Sequence, residues 1–283
     1  MTKRVKKTIF LTLACCLLHL TALGQEDTVF ISKPATNTAT LIGVGNSNLY
    51  DTYLSILKYK GTSFHLMNER MRQTTWFDGK FTKQQTINLE FAFAENPYGN
   101  VNEYWAMLDY SLGGHYNFYK TNKLRLSAGG LWNTAIGVLY NERNSNNPAT
   151  ARAYSNLQLS AIAFYKWNAF TFRWQIDTPI AGILFSPQYG QSYYEISLGN
   201  TVNVVNFASL HNQRALRNYI SVDVPINKVS LRFGYLGSFY QTKVHGIQTH
   251  TYSNSFMIGI VSESINLSGN GIKKSRVKSS FYD

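Results

Sequence analysis

The stretch Tyr104-Trp105-Ala106-Met107-Leu108-Asp109-Tyr110-Ser111-Leu112-Gly113-Gly114-His115-Tyr116-Asn117-Phe118 decides the fold. Every even position in it is apolar, aromatic or glycine, while the odd row mixes Trp105 and Met107 with Asp109, Ser111, His115 and Asn117. A helix would scatter the two sets around its axis; an extended strand places them on opposite faces. The same period of two returns in Phe170, Phe172, Trp174 and Ile176 against Thr171, Arg173, Gln175 and Asp177. It returns again in Ile87, Leu89, Phe91 and Phe93, in Val229, Leu231, Phe233, Tyr235 and Phe239, and in the row from Leu124 to Val138 that alternates with Arg125, Ser127 and Asn133.

Working outward from these runs, ten strands are expected, near residues 38–46, 60–74, 80–94, 103–118, 124–140, 152–167, 169–178, 212–225, 227–242 and 247–262. Asp78-Gly79 is a strong hairpin dipeptide, and Lys120 to Lys123, Asn168 and Asn227-Lys228 also give short connections. Residues 47–59, 95–102, 141–151 and 179–211 give long ones, with 243–246 as the exception. Alternating short turns and long loops are the layout of an outer-membrane barrel, short on the periplasmic side and long outside. The phase agrees: a chain delivered from the periplasm sends its first strand outward, and its first connection is then a long outer loop. The expected fold class is therefore all-β, a closed antiparallel transmembrane β-barrel of about ten strands, or twelve if 179–211 holds a further hairpin. A soluble sandwich or lipocalin-like barrel explains the alternation but not the phase, and it turns its apolar row inward. Here the more uniform row is rich in bulky aromatics, as a lipid-facing wall with interfacial girdles requires.

The N-terminus fits export. Lys3, Arg4, Lys6 and Lys7 precede an apolar run from Ile9 to Leu20, and Ala22-Leu23-Gly24 supplies small residues for cleavage. That run suits a secretory signal and is too short to span a membrane as a helix. The organisation read from the sequence is a signal peptide at 1–24, a barrel at 25–266 and a basic tail at 267–283. Cys15 and Cys16 are the only cysteines and both fall in the signal, so the mature chain has no disulfide and no thiolate metal site. The formal net charge of +12 falls to about +8 once the signal is removed. Half of the remainder comes from Lys273, Lys274, Arg276 and Lys278 in the tail. No basic stripe interleaved with aromatics is left to bind nucleic acid.

Several stretches carry a family resemblance. They are Asp51-Thr52-Tyr53-Leu54-Ser55, Tyr59-Lys60-Gly61 and Glu69-Arg70-Met71-Arg72, then Phe185 to Ile196, Ser209 to Tyr219, and Thr251-Tyr252-Ser253-Asn254-Ser255-Phe256. Together they resemble a Bacteroidota family of signal-bearing proteins catalogued as a domain of unknown function. The resemblance spans nearly all of the mature chain and implies an outer-membrane barrel, with no activity to carry over. One departure from ordinary outer-membrane barrels is that the chain runs on from Leu267 to Asp283 instead of stopping on an aromatic. Recognition by the barrel-insertion machinery would then use an internal aromatic such as Phe256.

The polar row supplies the first candidate site. Glu90, Asp109, Arg125, Arg173, Asp177, Arg217, Asp223 and Arg232, with Arg152 nearby in the same row, should face the lumen. Unpaired charge in a narrow barrel is costly, so the eight are expected to pair into a network that plugs the interior. The alternative is a porin-like passage for a small solute. The second candidate is the loop after Pro179, where Tyr189, Gln191, Tyr193 and Tyr194 combine rings and amides suited to stacking on a glycan. The expected function is a non-enzymatic passage or surface-binding scaffold in the outer membrane of a Gram-negative bacterium. Its partners would be outer-membrane lipid, the insertion machinery and a small solute or glycan.

The rival function is an outer-membrane lipid-modifying hydrolase. Barrel lipid hydrolases set a histidine two residues before a serine on one strand face. His65, His115, His211, His245 and His250 all lack that spacing. No His/Asp/Glu cluster has metal-ligand spacing, and no cofactor or catalytic residue is expected. Gly113-Gly114 and Gly129-Gly130 lie inside strands without a following helix, which makes them close-packing points and not phosphate loops.

Overall fold

The computed structural model describes residues 35–145, 147–226, 229–265 and Phe281. The signal segment 1–24 and all of the tail except Phe281 lie outside the described residues. In chain order the strands are β1 (Ala35–Asp51), β2 (Ser55–Gln73), β3 (Phe81–Glu95), β4 (Asn102–Lys120), β5 (Leu124–Asn141), β6 (Ala149–Trp167), β7 (Phe170–Phe185), β8 (Val205–Ser209), β9 (Gln213–Ile226), β10 (Val229–Val244) and β11 (Ile247–Ile265). A short helix, α1 (Tyr193–Ser197), precedes β8.

Neighbours pair antiparallel from β1 through β7, β9 pairs with both β7 and β10, and β11 closes onto β1 from Asp51↔Thr249 to Ala35↔Ile265. The result is a closed antiparallel barrel with ten strand positions around the wall. β8 is not an eleventh position. It pairs with the upper part of β7, Ala181↔Ser209 to Phe185↔Val205, above the stretch where β9 pairs with the lower part, Thr171↔Asp223 to Asp177↔Arg217. Between those two ladders β7 advances four residues and its partner eight, so the chain bulges out of the wall around Leu210–Asn212.

These pairings correct three expectations. The region 179–211 is not a single loop and does not add the hairpin that twelve strands would need. It completes β7, forms α1 and supplies β8. The first connection is residues 52–54, not 47–59, because β1 and β2 continue their alternation almost to the turn. The Asp78-Gly79 hairpin is a longer excursion over residues 74–80, closed by Thr74 N–H donating to Phe81 O at 3.0 Å. Within it Asp78 and Gly79 do take φ of +56° and +79°, the pair of left-handed residues that a tight hairpin turn demands. Strict alternation of short and long connections is therefore absent.

The two faces follow the alternation. Ile42, Phe64, Phe91, Ile136, Leu159, Trp174, Ile220 and Ile260 are exposed on the outside. Together they form an apolar belt around the barrel. Aromatic groups collect at both ends of the belt. Phe93, Tyr104 and Tyr140 pack at the upper end, and Trp76, Phe77, Phe81 and Tyr116 at the lower. The glycine pairs draw β4 and β5 together: a Cβ on Gly129 would sit 1.9 Å from the Gly114 carbonyl oxygen. The inward rows fill the lumen. Leu49, Tyr59, Trp105 and Leu139 pack near the upper mouth, Leu41, Met67, Tyr219, Leu236 and Met257 at mid-height, and Met71, Ile162, Phe164 and Phe281 at the lower mouth.

Candidate functional site

The inward rows of β2, β3, β7, β9 and β10 converge on one carboxylate, Glu69, which is 2 % exposed. Arg173 grips it with both terminal nitrogens, Nη2 reaching Oε1 at 2.6 Å and Nη1 reaching Oε2. Arg232 donates from Nη1 to the same Oε2 at 2.9 Å, and Gln84 donates from Nε2 to Oε1 at 2.7 Å. Arg232 in turn makes a two-pronged contact with Asp223, Nε to Oδ1 at 2.6 Å and Nη2 to Oδ2 at 2.8 Å. The planar guanidinium fork suits this geometry, since the Nε–Nη2 edge of Arg232 grips Asp223 and leaves Nη1 to donate to Glu69. The Tyr219 ring lies 5.1 Å from the Arg173 guanidinium and excludes water from that side.

A second layer hydrogen-bonds Asp177. Gln175 Nε2 reaches its two oxygens at 2.8 and 3.0 Å, and the Ser160 hydroxyl donates to Oδ1 at 2.5 Å. His115 Nε2 meets the same hydroxyl at 2.7 Å. Higher in the lumen Asp109 receives Asn133 Nδ2 at 2.8 Å and the Tyr154 hydroxyl at 3.3 Å, with Arg217 Nη1 3.8 Å away. Glu90 faces His65 Nε2 at 3.7 Å. Glu90, Asp109, Asn133, Tyr154, Asp177 and Arg217 border a cavity of about 70 Å³, room for a few waters.

The upper mouth is covered. Arg152 pairs with Asp51 at 2.6 Å just beneath it. The Tyr193 hydroxyl reaches Thr150 Oγ1 at 2.9 Å and accepts the Ala151 N–H at 2.7 Å, and the Tyr53 hydroxyl donates to the Gln191 carbonyl at 2.9 Å. Burial pushes the Tyr193 hydroxyl pKa up. The segment holds its shape through a capping box, with Ser192 Oγ accepting the Glu195 N–H at 3.2 Å and Glu195 Oε2 accepting the Ser192 N–H at 2.8 Å. The Ser192 backbone and side chain together hold the Glu195 carboxyl below its ordinary range.

Of the eight lumen charges expected from the sequence, the structure brings Arg173, Asp223 and Arg232 into one cluster and sets Asp177 in the layer above. Asp109 and Arg217 meet higher up. Glu90 sits by His65, and Arg125 lies at the lower mouth, 4.5 Å over the Phe164 ring. Of the loop residues, Tyr189 and Tyr194 are exposed at 74 % and 72 %, while Gln191 and Tyr193 are turned inward as parts of the cover. Sequence reasoning missed Glu69. It lies in the Glu69-Arg70-Met71-Arg72 stretch, but the two rows of β2 are equally mixed, so nothing fixed which of its charges points inward.

A family model described as "Protein of unknown function (DUF3316)" matches residues 9–271. No curated protein matches the chain by sequence. Among solved structures, the outer membrane protease OmpT from Escherichia coli is similar in fold at 8 % identity. That likeness covers 84 % of this chain and 99 % of that one, with a TM-score of 0.43. The transport unit of the autotransporter AIDA-I from Escherichia coli is similar at 11 % identity over 88 % and 94 %, with a TM-score of 0.44. A FadL homologue of Pseudomonas aeruginosa is similar at 7 % identity over 83 % and 91 %, with a TM-score of 0.35.

Proposed function

The chain belongs to that family, and we propose that its barrel is a non-enzymatic outer-membrane scaffold of a Gram-negative cell, closed to solutes, that binds through its outer loops. The observation that carries the reading is the Glu69 cluster. Two arginines and two carboxylates cross the lumen with almost no exposed surface, and apolar side chains pack above and below them. A passage needs a continuous wet path, and the packing of these groups among the described residues supports a closed lumen instead. The exposed belt and its two aromatic rows support a membrane setting, with lipid as the wall's neighbour. Tyr189 and Tyr194, exposed on the covered side, suit stacking on a glycan.

A hydrolase is less well supported. Ser160 lies between His115 and Asp177, yet its hydroxyl proton already points to the carboxylate, and all three side chains are buried. A nucleophile needs the histidine in the middle and access to substrate. Ser209 Oγ touches His211 Nδ1 at 2.5 Å on the outer face, but among the described residues no Asp or Glu pairs with that histidine. Liposome swelling tests the closed lumen. Vesicles carrying the purified barrel should keep their turbidity in isosmotic arabinose or glycine, and swelling at the rate of an open porin would overturn the proposal.

A further inference from the structure

The chain beyond β11 returns one side chain to the barrel. Phe281 is fully buried at the lower mouth, packed with Ala35, Met71, Ile162 and Phe164. Its ring meets Phe164 edge-on, with centroids 6.3 Å apart and planes at 77°. The Arg125 guanidinium lies over both rings, 4.5 Å from Phe164 and 5.0 Å from Phe281. Such a contact strengthens when the cation is shielded from water, and Arg125 is 5 % exposed.

The backbone of Phe281 is held as well as its ring. Its carbonyl oxygen accepts from Arg125 Nη1 at 3.0 Å and from Gln73 Nε2 at 3.1 Å, and its N–H donates to Glu263 Oε1 at 3.2 Å. A purely apolar pocket would take any greasy group. A pocket that also reads the peptide N–H and C=O through side chains of β2, β5 and β11 selects an aromatic residue within a peptide. The intervening residues 266–280 are long enough to allow this return, because an extended chain spans up to roughly 3.3–3.6 Å per residue.

We propose that the lower mouth is a peptide-binding site for one aromatic residue and that this chain fills it in cis with Phe281. The occupied site seals the mouth opposite the Tyr193 cover. The site stands on its own contacts and does not depend on what the outer loops bind.

The test uses the full chain with Phe281→Ala in detergent micelles, its folding checked by heat-modifiable migration on a gel. The probe is a fluorescent peptide with the sequence of residues 276–283, read by anisotropy. The variant should bind the peptide saturably and the wild type at least tenfold more weakly. The peptide's own Phe281→Ala form should bind neither, and adding Arg125→Ala to the variant should remove binding. Equal binding to wild type and variant, or a folded variant that binds no peptide, would overturn the proposal. If Phe281→Ala does not fold, 4-fluorophenylalanine at position 281 of the otherwise intact chain gives a second readout. Its fluorine resonance should resist a water-soluble paramagnetic agent and move on Arg125→Lys. A resonance broadened like that of an exposed ring would overturn the proposal equally.

Discussion

Glu69 pairs with two buried guanidinium groups inside the barrel, so its removal takes from Arg173 the carboxylate it grips and from Arg232 one of its carboxylate partners. Breaking one side of a buried ion pair typically destabilises by about 3–5 kcal/mol. Glu69→Ala should therefore lower the urea midpoint of the folded barrel strongly, followed by heat-modifiable migration. Arg70→Ala, one residue along on the exposed row, should change stability by about 0.5 kcal/mol or less. Equal small losses for both would remove the cluster from the account. At this scale the sequence was partly legible. Arg173, Asp177 and Arg232 each lie on a strand whose other row is mostly apolar or aromatic, which sets their phase, while Asp223 follows from Ile220, Val222 and Val224 beside it. In β2 the inward Ser63, His65, Met67 and Glu69 look no different from the outward Thr62, Phe64, Leu66 and Asn68, so Glu69 carried no phase of its own.

Two elements give sharper tests. At Gly129 a methyl group would meet the Gly114 carbonyl oxygen at 1.9 Å and His115 Cα at 2.7 Å, so β4 and β5 must part to admit it. Gly129→Ala should destabilise by about 1–3 kcal/mol, in the range of overpacking. Gly130→Ala, whose nearest neighbour would be the Gln158 carbonyl oxygen at 3.6 Å, should be well tolerated. The reverse order in unfolding experiments would contradict the strand contact. The cover segment should respond to pH. The Glu195 carboxyl is held below its ordinary range by Ser192, so the cap is present above that range and is lost as pH falls through the lowered value. Amide exchange around Ser192–Glu195, corrected for its intrinsic rate, should rise in acid, and Glu195→Gln should abolish that rise. This part of the chain was the least legible. Ile180 is an extra residue opposite the Leu157/Gln158 step, so the inward row moves from Asp177 and Pro179 to Gly182 and Leu184. One inserted residue inverts every later side chain, and the alternation therefore stops being readable at the point where β7 continues upward.

For the whole molecule, the period of two in β3, β4, β5, β7 and β10 pointed to the all-β class, and the connections between strands brought the expected count to ten, the number around the closed wall. β11 closes on β1, which leaves neither strand with an unpaired edge of backbone groups. The filling of the lumen was not readable in the same way, because it depends on side chains from strands far apart in sequence, such as Glu69 and Arg232, and on Phe281 returning from beyond the last strand. If this filling closes the barrel, the purified full-length protein should insert into a planar bilayer without steady ion conductance, apart from brief and irregular events. Large, stable conductance steps from the unmodified barrel would show an open lumen.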